Sequence, residues 1–167
     1  AQAMTLPPGP ADSPVFFVRC ELLDSAGQVV AENVYWQSRH VDDVGPPSND
    51  AAFDSKQVSW ADMTALNYLA KVPLDISAHA ERAGTDGQQV TVTLHNPTPK
   101  VAFFERAELL SGPLADEILP IEYDDNYVTV FPGETVEIQG RVPAGGPAAN
   151  WGRVTGYNST PTVVEVR

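Results

Sequence analysis

The chain has 167 residues, with 22 acidic against 10 basic side chains and a formal net charge of −12. That balance excludes a nucleic-acid partner, which needs Lys and Arg to displace phosphate counterions. A single Cys excludes an internal disulfide framework, no Cys/His cluster has zinc spacing, and no apolar run reaches the length of a membrane span.

In chain order, residues 1–14 hold four prolines and read as a flexible arm, with neither the basic nor the apolar region of a signal peptide. Val15–Leu23 and Gln28–Trp36 are β-rich runs joined by Asp24-Ser-Ala-Gly27, which signals a hairpin. Phe16, Val18, Cys20 and Leu22 form its cleaner apolar face. Residues 38–57 are polar, carry Pro46-Pro47 and read as a linker. The segment WADMTALNYLA is the one credible helix, a turn or two long, with Ser59 as N-cap, Asp62 in a capping-box position and Pro73 beyond its end.

From Leu74 onward short strands recur. They are expected at Leu74–Ala80, Gln89–His95, Val101–Leu110, Glu117–Tyr123, Tyr127–Phe131, Thr135–Val142, Arg153–Tyr157 and Val163–Arg167. Turn residues separate them, including Gly84–Gly87, Asn96-Pro-Thr-Pro99 and Pro132-Gly133. Eight short strands with hairpin punctuation predict an all-β, immunoglobulin-like β-sandwich over residues 58–167. FFVRCELLD at 16–24 matches FFERAELLS at 103–111 in six of nine positions. The simpler reading is two tandem sandwiches, the first represented by a final hairpin over 15–37, so that the chain is a piece of a longer one.

Chemistry-bearing residues are few. Glu122-Tyr-Asp-Asp-Asn126 concentrates carboxylates, but neighbours on a strand end point to opposite faces, and the spacing is not that of an EF-hand. The bland reading is a solvated acidic corner whose side chains bond turn backbone. Trp36, Trp60 and Trp151 read first as packing residues, with Trp151 following a loop that can project. His40, His79 and His95 lie in separate segments, and Cys20 reads as a buried hydrophobe. No nucleophile elbow or phosphate-binding glycine loop is present, so no catalytic residue, metal ligand or cofactor site is assigned. Asn158-Ser-Thr160 is formally an N-glycosylation acceptor. Tyr123, Asp124, Asp125, Tyr127 and Trp151 are the candidate carbohydrate contacts, being aromatic or acidic residues near loops.

Several segments resemble the C-terminal end of family 2 glycoside hydrolases, exo-β-D-glucosaminidases first and β-mannosidases second. They are the hairpin around Asn33–Trp36, WADMTALNYLAKVPLDISA, TVTLHNPT, VAFFERAELL and, most specifically, Asp125-Asn-Tyr127 with Phe131-Pro-Gly-Glu134. The resemblance covers about residues 15–167. It implies immunoglobulin-like domains that follow a catalytic (β/α)₈ barrel, with the catalytic glutamates in the barrel and none here. It further implies a secreted bacterial parent acting on chitosan or its oligosaccharides. The partners implied are the barrel and the preceding immunoglobulin-like domain of the same chain, braced by this one, which also lends a loop to the active-site rim. An autonomous carbohydrate-binding module is the alternative. The acidity is compatible with a cationic polysaccharide.

Overall fold

A computed structural model describes residues 9–45, 57–82 and 87–167. Residues 1–8 of the expected arm, 46–56 of the expected linker and 83–86, which hold most of the expected Gly84–Gly87 turn, lie outside the described residues. The chain divides into two compact units, Ala1–Leu69 and Ala70–Arg167. The division falls later than the start of the sandwich read from the sequence, so residues 57–69 group with the hairpin.

The first unit is built on strands β1 (Val15–Leu23) and β2 (Val29–Ser38), paired antiparallel from Val15↔Ser38 to Leu23↔Val29. The turn forms because the Asp24 carboxylate accepts from the amides of Ala26 and Gln28, at 2.8 and 2.9 Å, while Gly27 takes φ +79°. Arg19, Glu21 and Glu32 make an ion-pair cluster on one face, and Phe16, Val18, Cys20 and Leu22 occupy the other. Among the described residues before β1, the Arg39 amide donates to Pro14 O and its guanidinium to Pro10 O. The expected helix is a five-residue 3-10 turn, Thr64–Tyr68, with no side-chain cap at its N-terminus. Ser59 is paired with Asp43 instead of capping. Asp62 organises the turn by accepting from both the amide and the hydroxyl of Thr64, and these bonds, the hydroxyl's first, hold its carboxyl below the usual range. Trp60 is 67% exposed, more than a packing residue would be, and Trp36 is 38% exposed.

The second unit is an immunoglobulin-like β-sandwich. All eight expected strands occur: β3 (Asp75–Arg82), β4 (Gln88–His95), β5 (Ala102–Leu110), β6 (Glu122–Tyr123), β7 (Val128–Val130), β8 (Thr135–Val142), β9 (Trp151–Thr155) and β10 (Thr162–Glu165). They form two four-stranded sheets, ordered β3-β4-β8-β6 and β10-β9-β5-β7. Strict alternation on β4 buries Val90, Val92 and Leu94, and the register sets them beside Gly140, Ile138 and Val136 of β8. The other sheet contributes Ala102, Ala107, Leu109, Val130 and Val154 to the same core. Removing this apolar surface from water supplies the main drive for folding in the absence of a disulfide. Gly140 is required by close approach: a Cβ there would lie 2.8 Å from Leu109 Cδ1 and 3.1 Å from the Tyr123 ring.

Two departures from regular pairing shape the sandwich. The strand expected over Glu117–Tyr123 is reduced to Glu122–Tyr123, with an isolated bridge at Leu110↔Glu117; Pro120 in between has no amide hydrogen to give a ladder. On β5, Ala102 pairs with Val130 and Glu105 with Val128, so β5 carries one extra residue over this stretch. That is a β-bulge, and Phe104 within it takes φ +61°. Beyond β10, Val166 bridges Ala78 of β3 in parallel, with Ala80 N donating to Arg167 O and Arg167 N to Ala78 O. The end of the chain thereby joins the edge of the opposite sheet.

Candidate functional site

Four of the five candidate carbohydrate contacts share the turn between β6 and β7, and there most of the polar atoms are engaged in holding the chain. Asp124 accepts from Gln139 N at 2.7 Å and from Asp125 N at 2.8 Å. Asp125 accepts from Asn126 N at 2.7 Å. Asn126 clamps β5 across the turn, accepting from Ala107 N and donating to Ala107 O, both at 2.9 Å. The acidic corner is therefore a folded turn in which carboxylates satisfy backbone donors.

Tyr123 points inward. Its hydroxyl accepts from Leu109 N and donates to Glu117 Oε1, both at 3.2 Å. Burial, with the Glu117 carboxylate beside it, raises the phenol well above its ordinary range. Glu117 takes Arg106 Nη2 at 2.5 Å, Arg106 also meets Glu108, and Glu108 receives a two-pronged bond from Arg153 at 2.8 and 3.0 Å. Those bonds, Arg153's first, lower the Glu108 carboxyl. Tyr123→Phe leaves Leu109 N without its acceptor, so it should cost about 1–3 kcal/mol of stability, measured by urea unfolding.

Trp151 stands apart. It is half-buried on β9 and pairs with Leu110 at one end of β5, whereas Val128, next to Tyr127, pairs with Glu105 toward the other. Trp151 and Tyr127 therefore do not converge on one surface.

Tyr127 does meet other aromatic residues, and these carry no signal in the sequence reading. It is half-exposed at φ +59°, and its ring lies 5.1 Å from that of Phe104 at 45°. Phe104 in turn lies 5.4 Å from Phe103, and Phe103 lies 5.6 Å from Tyr157. Phe103 is buried; Phe104, Tyr127 and Tyr157 are 39, 49 and 46% exposed. Beneath this ridge sits Glu105, fully buried, with Oε2 bonded to the Ser159 hydroxyl at 2.7 Å. Its Oε1 has no hydrogen-bond partner and faces Gly156, where a Cβ would come within 2.1 Å of it. Burial pushes the Glu105 carboxyl up to about 7.

Asn158, formally a glycan acceptor, is 2% exposed. Its carbonyl accepts from Phe103 N, and its amide nitrogen donates to Ala70 O and Val101 O, at 2.8–2.9 Å. In the folded chain that nitrogen is a structural donor rather than an exposed acceptor for sugar. Among the described residues, no group of three or more His, Cys, Asp and Glu side chains is placed to hold a metal ion, and no helix is long and apolar enough to cross a membrane. A 520 Å³ open depression in the first unit is lined by Ala11–Pro14, Arg39 and His40. Asp12 is its single carboxylate, whereas glycoside hydrolysis ordinarily uses two.

Comparison with known proteins agrees with the sandwich. Residues 52–159 match the family model described as the exo-beta-D-glucosaminidase Ig-fold domain. An exo-beta-D-glucosaminidase of Arthroderma benhamiae is 34% identical over 125 residues, 74% of this chain and 14% of that protein. One of Streptomyces avermitilis is 33% identical over 170 residues, covering 97% of this chain and 18% of its own length. The crystal structure of Amycolatopsis orientalis exo-chitosanase CsxA superposes with a TM-score of 0.82 at 27% identity, covering 99% of this chain and 20% of that one. The chain thus spans less than a fifth of the length of these curated relatives. With its eight sandwich strands and the family model matching most of its length, the chain belongs to the exo-β-D-glucosaminidase Ig-fold domain family.

Proposed function

We propose that the chain is a non-catalytic accessory domain of a secreted bacterial family 2 glycoside hydrolase that removes glucosamine from chitosan or its oligosaccharides. The observation carrying this reading is the family match, together with the small share of each relative that the match occupies. In this reading residues 15–37 are the closing hairpin of a preceding immunoglobulin-like domain, and 58–167 a complete one. The domain's partners are that neighbour and the catalytic barrel of the same chain, which it braces and whose active-site rim it borders.

Deleting residues 58–167 from the full gene product tests it. Activity on a chromogenic β-D-glucosaminide and the melting temperature should both fall. Unchanged values for both would remove the bracing role.

A second reading, an autonomous carbohydrate-binding module, draws on half-exposed Tyr127 beside Asp124 and Asp125. Tyr123 and Trp151 enter that reading less readily, the first being turned inward and the second lying on another strand. Electrophoresis of the 167-residue chain through a chitosan-containing gel separates the two readings. Migration equal to that in a plain gel is expected for a bracing domain, and retardation for a binding module.

A further inference from the structure

We propose that Glu105 is a pH-operated latch: its ionisation frees the loop between β9 and β10, residues 156–161, and with that loop the segment Ala70–Val72 that leads into β3.

Glu105 lies on the β5 bulge, opposite Val128 of β7, and is fully buried. Both of its oxygens are turned to the same loop. Oε2 accepts from the Ser159 hydroxyl, and Oε1, without a hydrogen-bond partner, lies against Gly156. A Cβ on Gly156 would collide with both oxygens, so the loop closes over the carboxyl only with glycine at that point. A protonated carboxyl tolerates this setting. A carboxylate needs several donors, and here it finds one hydroxyl.

The same loop holds the start of the sandwich. Asn158 O accepts from Val72 N at 2.9 Å, and Ser159 bridges Val72 in parallel. The Asn158 side chain adds its bonds to Ala70, Val101 and Phe103. Strands β9 and β10 pair with each other up to Val154 and Thr162, just outside the loop. The loop can therefore lift while both sheets stay paired, whereas reaching Glu105 from the inner side strips the core around Ala107 and Leu109. Tyr157 and Thr160 are exposed, so lifting the loop admits water to the carboxylate.

The titratable groups on the surrounding elements are Tyr157 on the loop, Tyr127 before β7, Lys71 on the entry segment, and Arg106 and Glu108 on β5 itself, which pair with each other. The facing sheet turns apolar side chains inward from β4 and β8. None of those groups acts on Glu105: burial pushes its carboxyl up to about 7, and the Ser159 hydroxyl opposes that shift. With the loop closed, Glu105 keeps a proton that it gives up near 4.5 once water reaches it. Opening thus grows as pH rises from about 4.5 to 7 and is level above.

Amide hydrogen exchange of the 167-residue chain, followed by NMR and corrected for intrinsic rates, tests the latch. The reporters are the Val72 and Phe103 amides, which Asn158 holds, and the reference is Val92 on β4, a strand paired on both sides. At pH 7.5 the reporters should exchange through an opening that urea barely promotes, and Val92 through one that urea promotes steeply. From pH 5 to 7.5 the opening seen by the reporters should grow about fiftyfold, the change in the Glu105 carboxyl converted to an equilibrium. One common urea slope for all three amides overturns the latch, as does an opening at Val72 and Phe103 that ignores pH. Glu105→Gln should hold the loop equally shut at both pH values; a variant that keeps the parent's pH response overturns the assignment to Glu105. Ser159→Ala removes the one donor to the carboxylate and leaves the carboxyl itself in place. It should move the rise in opening to higher pH, and a rise at the parent's pH overturns the assignment.

Discussion

Replacing Asn158 by alanine should cost about 3–5 kcal/mol, a large part of the 5–15 kcal/mol that ordinarily separates a folded domain from its unfolded chain. One side chain makes three hydrogen bonds, to Phe103 N, Ala70 O and Val101 O. It thereby joins the entry to β3, the start of β5 and the loop after β9, which are far apart in sequence. Alanine leaves those backbone groups in a site too buried for water to replace the lost partner. Aspartate is no remedy, since a carboxylate would face the two carbonyl oxygens that the amide now satisfies. Urea unfolding followed by tryptophan fluorescence should show a lower midpoint with an unchanged slope. A midpoint equal to that of the parent would mean that the three groups find other partners.

Glu105 should make the sandwich lose stability as pH rises from about 4.5 to 7. Its carboxyl is fully buried and raised by that burial from 4.5 to about 7, with the Ser159 hydroxyl opposing the shift. Below 4.5 the folded and unfolded chains both carry the proton, and above 7 both have lost it. Between those values the folded chain holds a proton that the unfolded chain has released, so stability falls as pH rises. The shift corresponds to about 3 kcal/mol across the window. Glu105→Gln removes the ionisation and keeps the shape. The informative quantity is the difference between parent and variant unfolding free energies from pH 4 to 8, because the other carboxylates contribute alike to both. That difference should change across the window in favour of the variant and be level beyond it. A difference independent of pH would show that Glu105 ionises alike in both states.

The strands were legible because they follow burial on one face. Val90, Val92 and Leu94 alternate with polar residues, and so do Val136, Ile138 and Val142, so a count by twos finds β4 and β8. The match between residues 16–24 and 103–111 also has a local meaning. Arg19 and Glu21 pair on β1 at 3.0 Å, as Arg106 and Glu108 do on β5 at 3.2 Å, and each pair then takes a partner from the neighbouring strand. The repeat is at least a shared way of dressing one strand face.

What escaped the sequence reading depends on irregular backbone or on distant partners. Phe104 reads as an ordinary strand residue, since an extra residue on β5 leaves no mark in the composition of the strand. Tyr157 joins the ridge only because β9 lies beside β5. Glu105 was findable: it shares parity with Ala107 and Leu109, both fully buried, and a carboxylate in that position is a buried one. Asn158 was not, because its partners come from two stretches of chain, around Ala70 and Val101–Phe103, both far from it in sequence. The same holds for Tyr123, whose inward turn depends on Glu117 and Leu109 standing within reach.

The path of the chain after β10 bears on how the molecule is made. Strand β3 emerges first from the ribosome among the sandwich strands, yet the Ala78 carbonyl and the Ala80 amide on its outer edge find their partner only in Arg167, across the bridge of Val166 to Ala78. Until those residues are synthesised, a nascent chain carries a bare strand edge of the kind that recruits foreign strands. Residues that follow every other sandwich strand are thus the ones that close it, so this domain completes its fold only once translation has passed Arg167.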